Sequence, residues 1–379
     1  MKTVIATTTR FHLQRLAVEL AARGEELSYL SYTPKFRMRR DGLEANWARS
    51  LFMPLLPISA FALMRKLPWQ MQAVEAMLAR TDDYLAHCLP PSDIFIGLSS
   101  MAVRSAARAR ELGAKVIIER GSRHVLSQNR LVSQDCGKPL SPGYIARELA
   151  SYEQADIITV LSEHAAESFV EEGYPRERIF ICPLGVDFRR FVPTPRPPGA
   201  LRLLFVGGWS HQKGCDLLVK AVERRKDWHL THVGMLSGAQ FPHNNPRFVS
   251  LGHRNHAQLA QVMAEQHILV LPSRQDGFGM VLLEALAAGL PVVASRMTGG
   301  PDIRAVLENP EWVEIVEPGD ANDLLRGLDN MATREERTQT SGLRQRLTER
   351  DQNFFSWHGY AGRYLTFLKQ LHARKGKIA

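Results

Sequence analysis

Short apolar runs alternate with stretches of helical spacing along most of the chain. Val4-Ile5-Ala6 reads as a strand, and Phe11 to Arg23 follows with Leu13, Leu16, Ala17 and Leu20 at helical spacing before Gly24. Leu27-Ser28-Tyr29-Leu30 is the next strand. Asp93 to Gly97 and Lys115 to Ile118 read as buried strands around a helix from Met101 to Leu112. Ala155 to Val160 is another strand, and Ser162 is placed to cap the helix after it. Arg178 to Cys182 closes this half. A strand–helix–strand opening continued in this way predicts a doubly wound α/β domain.

Pro193, Pro195, Pro197 and Pro198 then crowd into a stiff, non-regular linker. Beyond it the alternation restarts. Leu201 to Val206 and His229 to Val233 are strands around a helix containing Asp216 to Val222, and Arg247-Phe248-Val249 leads into another strand. His256 to Glu265 is helical, His267 to Leu271 and Pro291 to Ser295 are strands, and Val313 to Val316 ends the sheet. Trp357 to Leu371 reads as an amphipathic helix. Two such halves predict two Rossmann-like domains facing a cleft, with ligands at the carboxyl ends of the strands.

The richest chemistry follows the strand at 267–271. Asp276-Gly277-Phe278-Gly279 forms a Gly turn, and a helix runs from Met280 to the Gly289-Leu290-Pro291 stop. Free N–H groups at that helix start suit a phosphate or diphosphate. Asp276 and Glu284 bracket the turn. Carboxylates would repel a phosphate they touched, so they fit hydroxyls on either side of one: sugar hydroxyls at Asp276 and a ribose diol at Glu284. The other strand–turn–helix, Gly207-Gly208-Trp209-Ser210-His211-Gln212-Lys213-Gly214, brings glycines close to a ligand and a lysine to a phosphate.

The segment from Pro272 to Val293 resembles the E-x7-E motif of the retaining glycosyltransferases of family 4, which have the GT-B fold; the first acid here is Asp276, one methylene shorter than Glu. Gly207 to Gly214 resembles the family's V-G-R-x-x-x-x-K-G turn, with Gly208 where the family has Arg; Arg10 and Arg274 are candidates for the missing cation. Pro183 to Pro193 resembles the family's domain junction, and Thr298 to Asp302 its G-G-x-x-E turn. The resemblance implies an N-terminal acceptor-binding domain over 1–190, a nucleotide-sugar-binding domain over 200–355, and a segment, 356–379, crossing back to the first domain. It implies a donor site of Gly207, Gly208, Ser210, Lys213, Asp276, Gly277, Phe278, Gly279, Met280, Val281 and Glu284. It further implies a UDP- or GDP-linked hexose as donor, retention of configuration, and no required cofactor or metal. No D-x-D motif stands where a divalent ion would bridge the diphosphate.

In the first domain the Gly-rich turn of many relatives is replaced by Thr7-Thr8-Thr9-Arg10-Phe11-His12, giving Thr9 and Arg10 as acceptor-side residues. Many relatives carry His-Gly after the fourth strand; here Arg120 takes the His place before Gly121, and His124 follows. Either is expected to reach the sugar or diphosphate and join Asp276 and Lys213 in catalysis. Glu119 or Glu153 is expected to hold an acceptor hydroxyl.

Bulk properties narrow the partners. The 379 residues carry a net charge of +9 and 45% hydrophobic residues, enough for two cores. Basic residues are dispersed among acids without a nucleic-acid module, so the charge is assigned to an anionic or lipid-linked glycan acceptor. Four scattered cysteines give no zinc spacing. No signal-peptide core or membrane span is evident, which implies a cytoplasmic location. Leu51 to Met64, with Arg37, Arg39 and Arg40 before it and Arg65 and Lys66 after it, is either a patch that dips into the inner face of the cytoplasmic membrane or an ordinary core helix. A dinucleotide oxidoreductase is excluded because no G-x-G-x-x-G follows a strand. A GT-B sugar-nucleotide epimerase and a non-catalytic sugar-nucleotide binder remain as alternatives.

Overall fold

The structure is a computed structural model; it describes all residues except 9–11, 53–69, 137–138, 339–343, 345 and 376–379. The expected Leu51–Met64 segment and the acceptor-side residues Thr9 and Arg10 therefore lie almost wholly or wholly outside the described residues.

Two parallel sheets divide the chain. The first contains β1 (Thr3–Thr7), β2 (Leu27–Ser31), β3 (Ala48–Ser50), β4 (Ile94–Leu98), β5 (Lys115–Glu119), β6 (Ile157–Val160) and β7 (Ile179–Ile181) in the order β3-β2-β1-β4-β5-β6-β7. The second contains β8 (Arg202–Val206), β9 (His229–Val233), β10 (Phe248–Ser250), β11 (Ile268–Leu271), β12 (Val292–Ser295) and β13 (Val313–Val316) in the order β10-β9-β8-β11-β12-β13. The central strands are mostly apolar because helices cover both faces; β6 and β11 have no exposed residue.

In each sheet the strand order reverses once. The reversal lies between β1 and β4, where Ile5 pairs with Ile96, and between β8 and β11, where Leu204 pairs with Leu269. Strands diverge on either side of such a point, and the loops leaving them open a crevice at their carboxyl ends. The turn after β1 leads into α1 (His12–Ala22), and the turns after β8 and β11 are the two Gly-rich segments. Topology thus gathers these three turns.

Sequence periodicity located the central strands but not β3, whose Ala48-Arg49-Ser50 has no apolar alternation and pairs only with β2. Helices α2 (Lys35–Arg40), α3 (Gln70–Cys88), α4 (Arg104–Glu111), α5 (Val125–Cys136), α6 (Pro142–Gln154) and α7 (Glu163–Glu171) complete the first layer set. Those of the second are α8 (Cys215–Glu223), α9 (His256–Ala264), α10 (Met280–Ala287), α11 (Gly300–Val306), α12 (Ala321–Thr338) and α13 (Glu349–Phe355). The last helix, α14 (Trp357–Lys375), packs along α1 and buries Tyr360, Tyr364 and Leu368. Arg23 donates to His358 O at 2.7 Å, and Lys369 pairs with Glu25 at 3.0 Å, fixing that docking.

Candidate active site

The turn after β11 is held rigidly. Asp276 N donates to Met297 O at 2.9 Å, Gly299 N to Phe278 O at 2.7 Å, and Gln212 Nε2 to Gln275 Oε1 at 2.6 Å. Gly279 is the N-cap of α10 and sits at φ +78°, a conformation that L side chains rarely adopt. No side chain caps α10; Leu282 N donates to Gly279 O at 2.9 Å, and a helix start without a side-chain cap suits an anion. Lys213 Nζ donates to Asp276 Oδ2 at 2.6 Å. Both line a cavity of about 320 Å³ together with His12, Gly121, Gly207 and residues 278–281.

Glu284 lies one turn into α10, almost fully buried. Burial pushes its carboxyl up to about 7, against the opposing pull of Arg190. His256 Nε2 stands 3.6 Å from Glu284 Oε1. These groups line a second cavity of about 450 Å³ with His12, Arg15 and Met280. The two cavities share His12 and Met280, so they meet at the α10 N-terminus.

Ser210 turns the chain into Lys213: its carbonyl accepts from Lys213 N at 3.1 Å and from Cys215 N at 3.3 Å. Gly208 supplies no cation, and a Cβ there would come 3.1 Å from Ser237 Oγ. Arg274 does not replace it. Its guanidinium grips Asp216 at 2.7 and 2.9 Å and donates to His211 O at 2.6 Å.

The first-domain expectations change. Arg120 is not brought to the cleft; it is buried, donating to Glu148 at 2.7 Å, Gln128 at 2.6 Å, Tyr144 at 3.2 Å and Arg123 O at 3.0 Å. His124 is buried among Tyr152, Phe169 and Tyr174, and desolvation lowers it to about 4. Glu119 is only 1% exposed. It accepts from His12 Nε2 at 2.9 Å, from Thr159 Oγ1, and from Tyr364 OH at 3.4 Å. Glu153 is exposed on α6. His12, which sequence reading placed only in a polar turn, reaches both cavities; its one signal was a polar residue opening the helix after β1.

The domains touch through the Gly277 turn. Ser162, expected as a helix cap, instead donates its hydroxyl to Gly277 O at 2.8 Å. Gln275 Nε2 donates to Ser122 Oγ at 2.7 Å, and Glu163 N to Asp302 Oδ1 at 2.8 Å. A Cβ on Gly277 would lie 1.8 Å from Gly121 O, so this approach requires glycine. Among the described residues no group of three or more His, Cys, Asp or Glu side chains is gathered for a metal.

Residues 200–334 match the family described as Glycosyl transferases group 1. The D-inositol 3-phosphate glycosyltransferase of Pseudarthrobacter chlorophenolicus is 36% identical over 170 residues, 38% of this chain and 40% of that one. The chain thus spans less than half the length of that relative. Sucrose-phosphate synthase from Thermosynechococcus elongatus has the same fold, with a TM-score of 0.71 at 18% identity over 99% of this chain and 100% of that one. HepE from Anabaena, in complex with UDP-glucose, superposes with a TM-score of 0.65 at 15% identity, covering 98% and 100%.

Proposed function

We propose that the chain, whose second half matches a glycosyltransferase family and whose fold is that of the GT-B glycosyltransferases, is a retaining, family 4 type enzyme. In this reading it moves a hexose-type sugar from a nucleotide-diphosphate donor to a hydroxyl of a glycan or lipid-linked glycan. The observation that carries the reading is the pair of cavities joined at the uncapped N-terminus of α10, with the Lys213–Asp276 pair in one and Glu284 in the other. Asp276 orients the sugar hydroxyls and Glu284 the ribose diol, which is positioning work. Lys213 and the first amides of α10 stabilise the charge that grows on the diphosphate as its bond to the anomeric carbon breaks.

The UDP-glucose bound by HepE supports a UDP-sugar donor. The net charge of +9 and the exposed Arg37, Arg39 and Arg40 of α2 support an anionic or lipid-linked acceptor at the inner face of the cytoplasmic membrane. Among the described residues no helix is long and apolar enough to cross a membrane.

A panel of UDP-, GDP- and ADP-sugars scored by thermal shift tests the donor reading. One nucleotide series is expected to raise the melting temperature by several degrees, with no shift from NAD. No shift with any nucleotide would refute the proposal.

A further inference from the structure

A third cavity, of about 410 Å³, opens at the outer edge of the first sheet, among β2, β3 and α2. It shares no lining residue with the two cavities of the cleft. Its volume is that of a small-molecule site, roughly 300–1,000 Å³. Lys35 and Arg39 of α2 and Arg49 of β3 line it, and no Asp or Glu does. All three cations are exposed. Other exposed arginines have acidic partners: Arg104 pairs with Asp83 at 3.0 Å, Arg108 with Glu111 at 2.9 Å and Arg176 with Glu163 at 3.0 Å. Among the described residues Lys35, Arg39 and Arg49 enter no ion pair. Asp41, at the end of α2, pairs with Arg40 at 3.8 Å and lines the Glu284 cavity instead. Charges of one sign around a concave wall focus their potential on an incoming anion.

We propose that this pocket is a second binding site, outside the cleft, for an anionic saccharide: a sugar ring bearing a phosphate or a carboxylate. The guanidinium groups of Arg39 and Arg49 match either anion with paired N–H donors, and Lys35 adds a point charge. Arg49 is positioned by the Tyr84 hydroxyl of α3, to which it hydrogen-bonds. The rest of the lining suits a sugar rather than a bare ion. Half-buried Trp47 offers an indole on which the apolar side of a ring packs, and Asn46 and Ser28 offer partners for hydroxyls. Met38 and Leu43, both buried, line the pocket as well. The lining is held before a ligand arrives: Tyr29 N donates to Trp47 O at 2.7 Å, and Leu43 N to Met38 O at 3.0 Å. Such preorganisation lowers the entropy cost of binding.

Calorimetry on the full chain at low ionic strength tests this with glucose 6-phosphate, inorganic phosphate and glucose as probes. Glucose 6-phosphate is expected to bind at least about fivefold tighter than inorganic phosphate, the added ring contact being of the order of one aromatic packing interaction, and far tighter than glucose. The double substitution Arg39→Ala with Arg49→Gln should weaken glucose 6-phosphate about tenfold or more, the usual loss for a charge-assisted hydrogen bond. Lys35→Ala should act in the same direction by less, and Lys213→Ala, in the cleft, should leave that affinity unchanged. Far-ultraviolet circular dichroism checks that each variant is folded. An affinity untouched by the double substitution overturns the inference, and so does a loss in Lys213→Ala alone, which would put the sugar phosphate in the cleft. Equal affinities for inorganic phosphate and glucose 6-phosphate overturn it in favour of a bare-anion site. Binding to phosphatidylglycerol vesicles without affinity for the sugar phosphate overturns it in favour of a membrane surface. The donor reading is scored separately: a wild type with no nucleotide thermal shift overturns that reading and leaves this test intact.

Discussion

Lys213 Nζ lies 2.6 Å from Asp276 Oδ2, so the cation assigned to the diphosphate and the acid assigned to the sugar are paired with each other across the two Gly-rich turns. Each side chain is about four-fifths buried, and each keeps part of its surface open to the cavity. In the proposed reading the pair sets the lysine beside the bond to the leaving group. Replacing Lys213 by Ala should lower kcat by about 10²–10³-fold, the usual cost of one donor aimed at developing charge. Asp276→Asn should cost a comparable factor, and Asp276→Glu should retain more activity than Asp276→Asn. Steady-state kinetics with the donor identified by thermal shift checks all three.

Glu284 predicts a pH dependence. Burial raises its carboxyl from 4.5 to about 7, so the folded protein takes up a proton there that the unfolded chain does not hold. Its contribution to stability is therefore fully present below about 4.5 and falls as pH rises through about 7. At pH 8 the buried charge costs roughly 3 kcal/mol, and Glu284→Gln should stabilise the ligand-free protein by up to that amount. Nucleotide affinity should move the opposite way, falling below about pH 7 as the acceptor for the ribose diol is lost. Chemical denaturation and calorimetry at pH 5.5, 7 and 8.5 separate the two trends.

The interdomain seam predicts a separation of fold from function. In Gly277→Ala the new Cβ meets Gly121 O, a backbone atom, so the domains must part while each core stays intact. Turnover should fall at least tenfold, with unchanged far-ultraviolet circular dichroism and a larger radius of gyration by small-angle scattering.

Arg120 should behave as a structural residue. Truncation to Ala leaves Glu148 buried without its cation. Breaking such a pair costs about 3–5 kcal/mol, measurable by denaturant unfolding. The folded protein should keep its affinity for the proposed donor.

Much of the second domain was legible because its chemistry is local. Strand, Gly turn and helix are consecutive in Ile268–Ala287, and the acids fall on that one segment. The first domain was less legible for two physical reasons. Glu119 and Arg120 are neighbours at the end of β5, and adjacent side chains on extended backbone point to opposite faces. Sequence alone does not say which faces the cleft; Glu119 turns toward His12 and α14, Arg120 toward α5 and α6. His124 is enclosed by Tyr152, Phe169 and Tyr174, contacts made only by tertiary packing. A polar residue near a strand end thus read as a ligand group when it is part of a core.

The most direct measurement is a crystal structure of the protein with its nucleotide-sugar donor bound. The account predicts the diphosphate at the start of α10, within hydrogen-bond distance of Lys213 Nζ, with the ribose on Glu284 and the sugar on Asp276. A donor lodged elsewhere, such as the basic pocket of about 410 Å³ formed by Lys35, Arg39 and Arg49 beside β3, would contradict it.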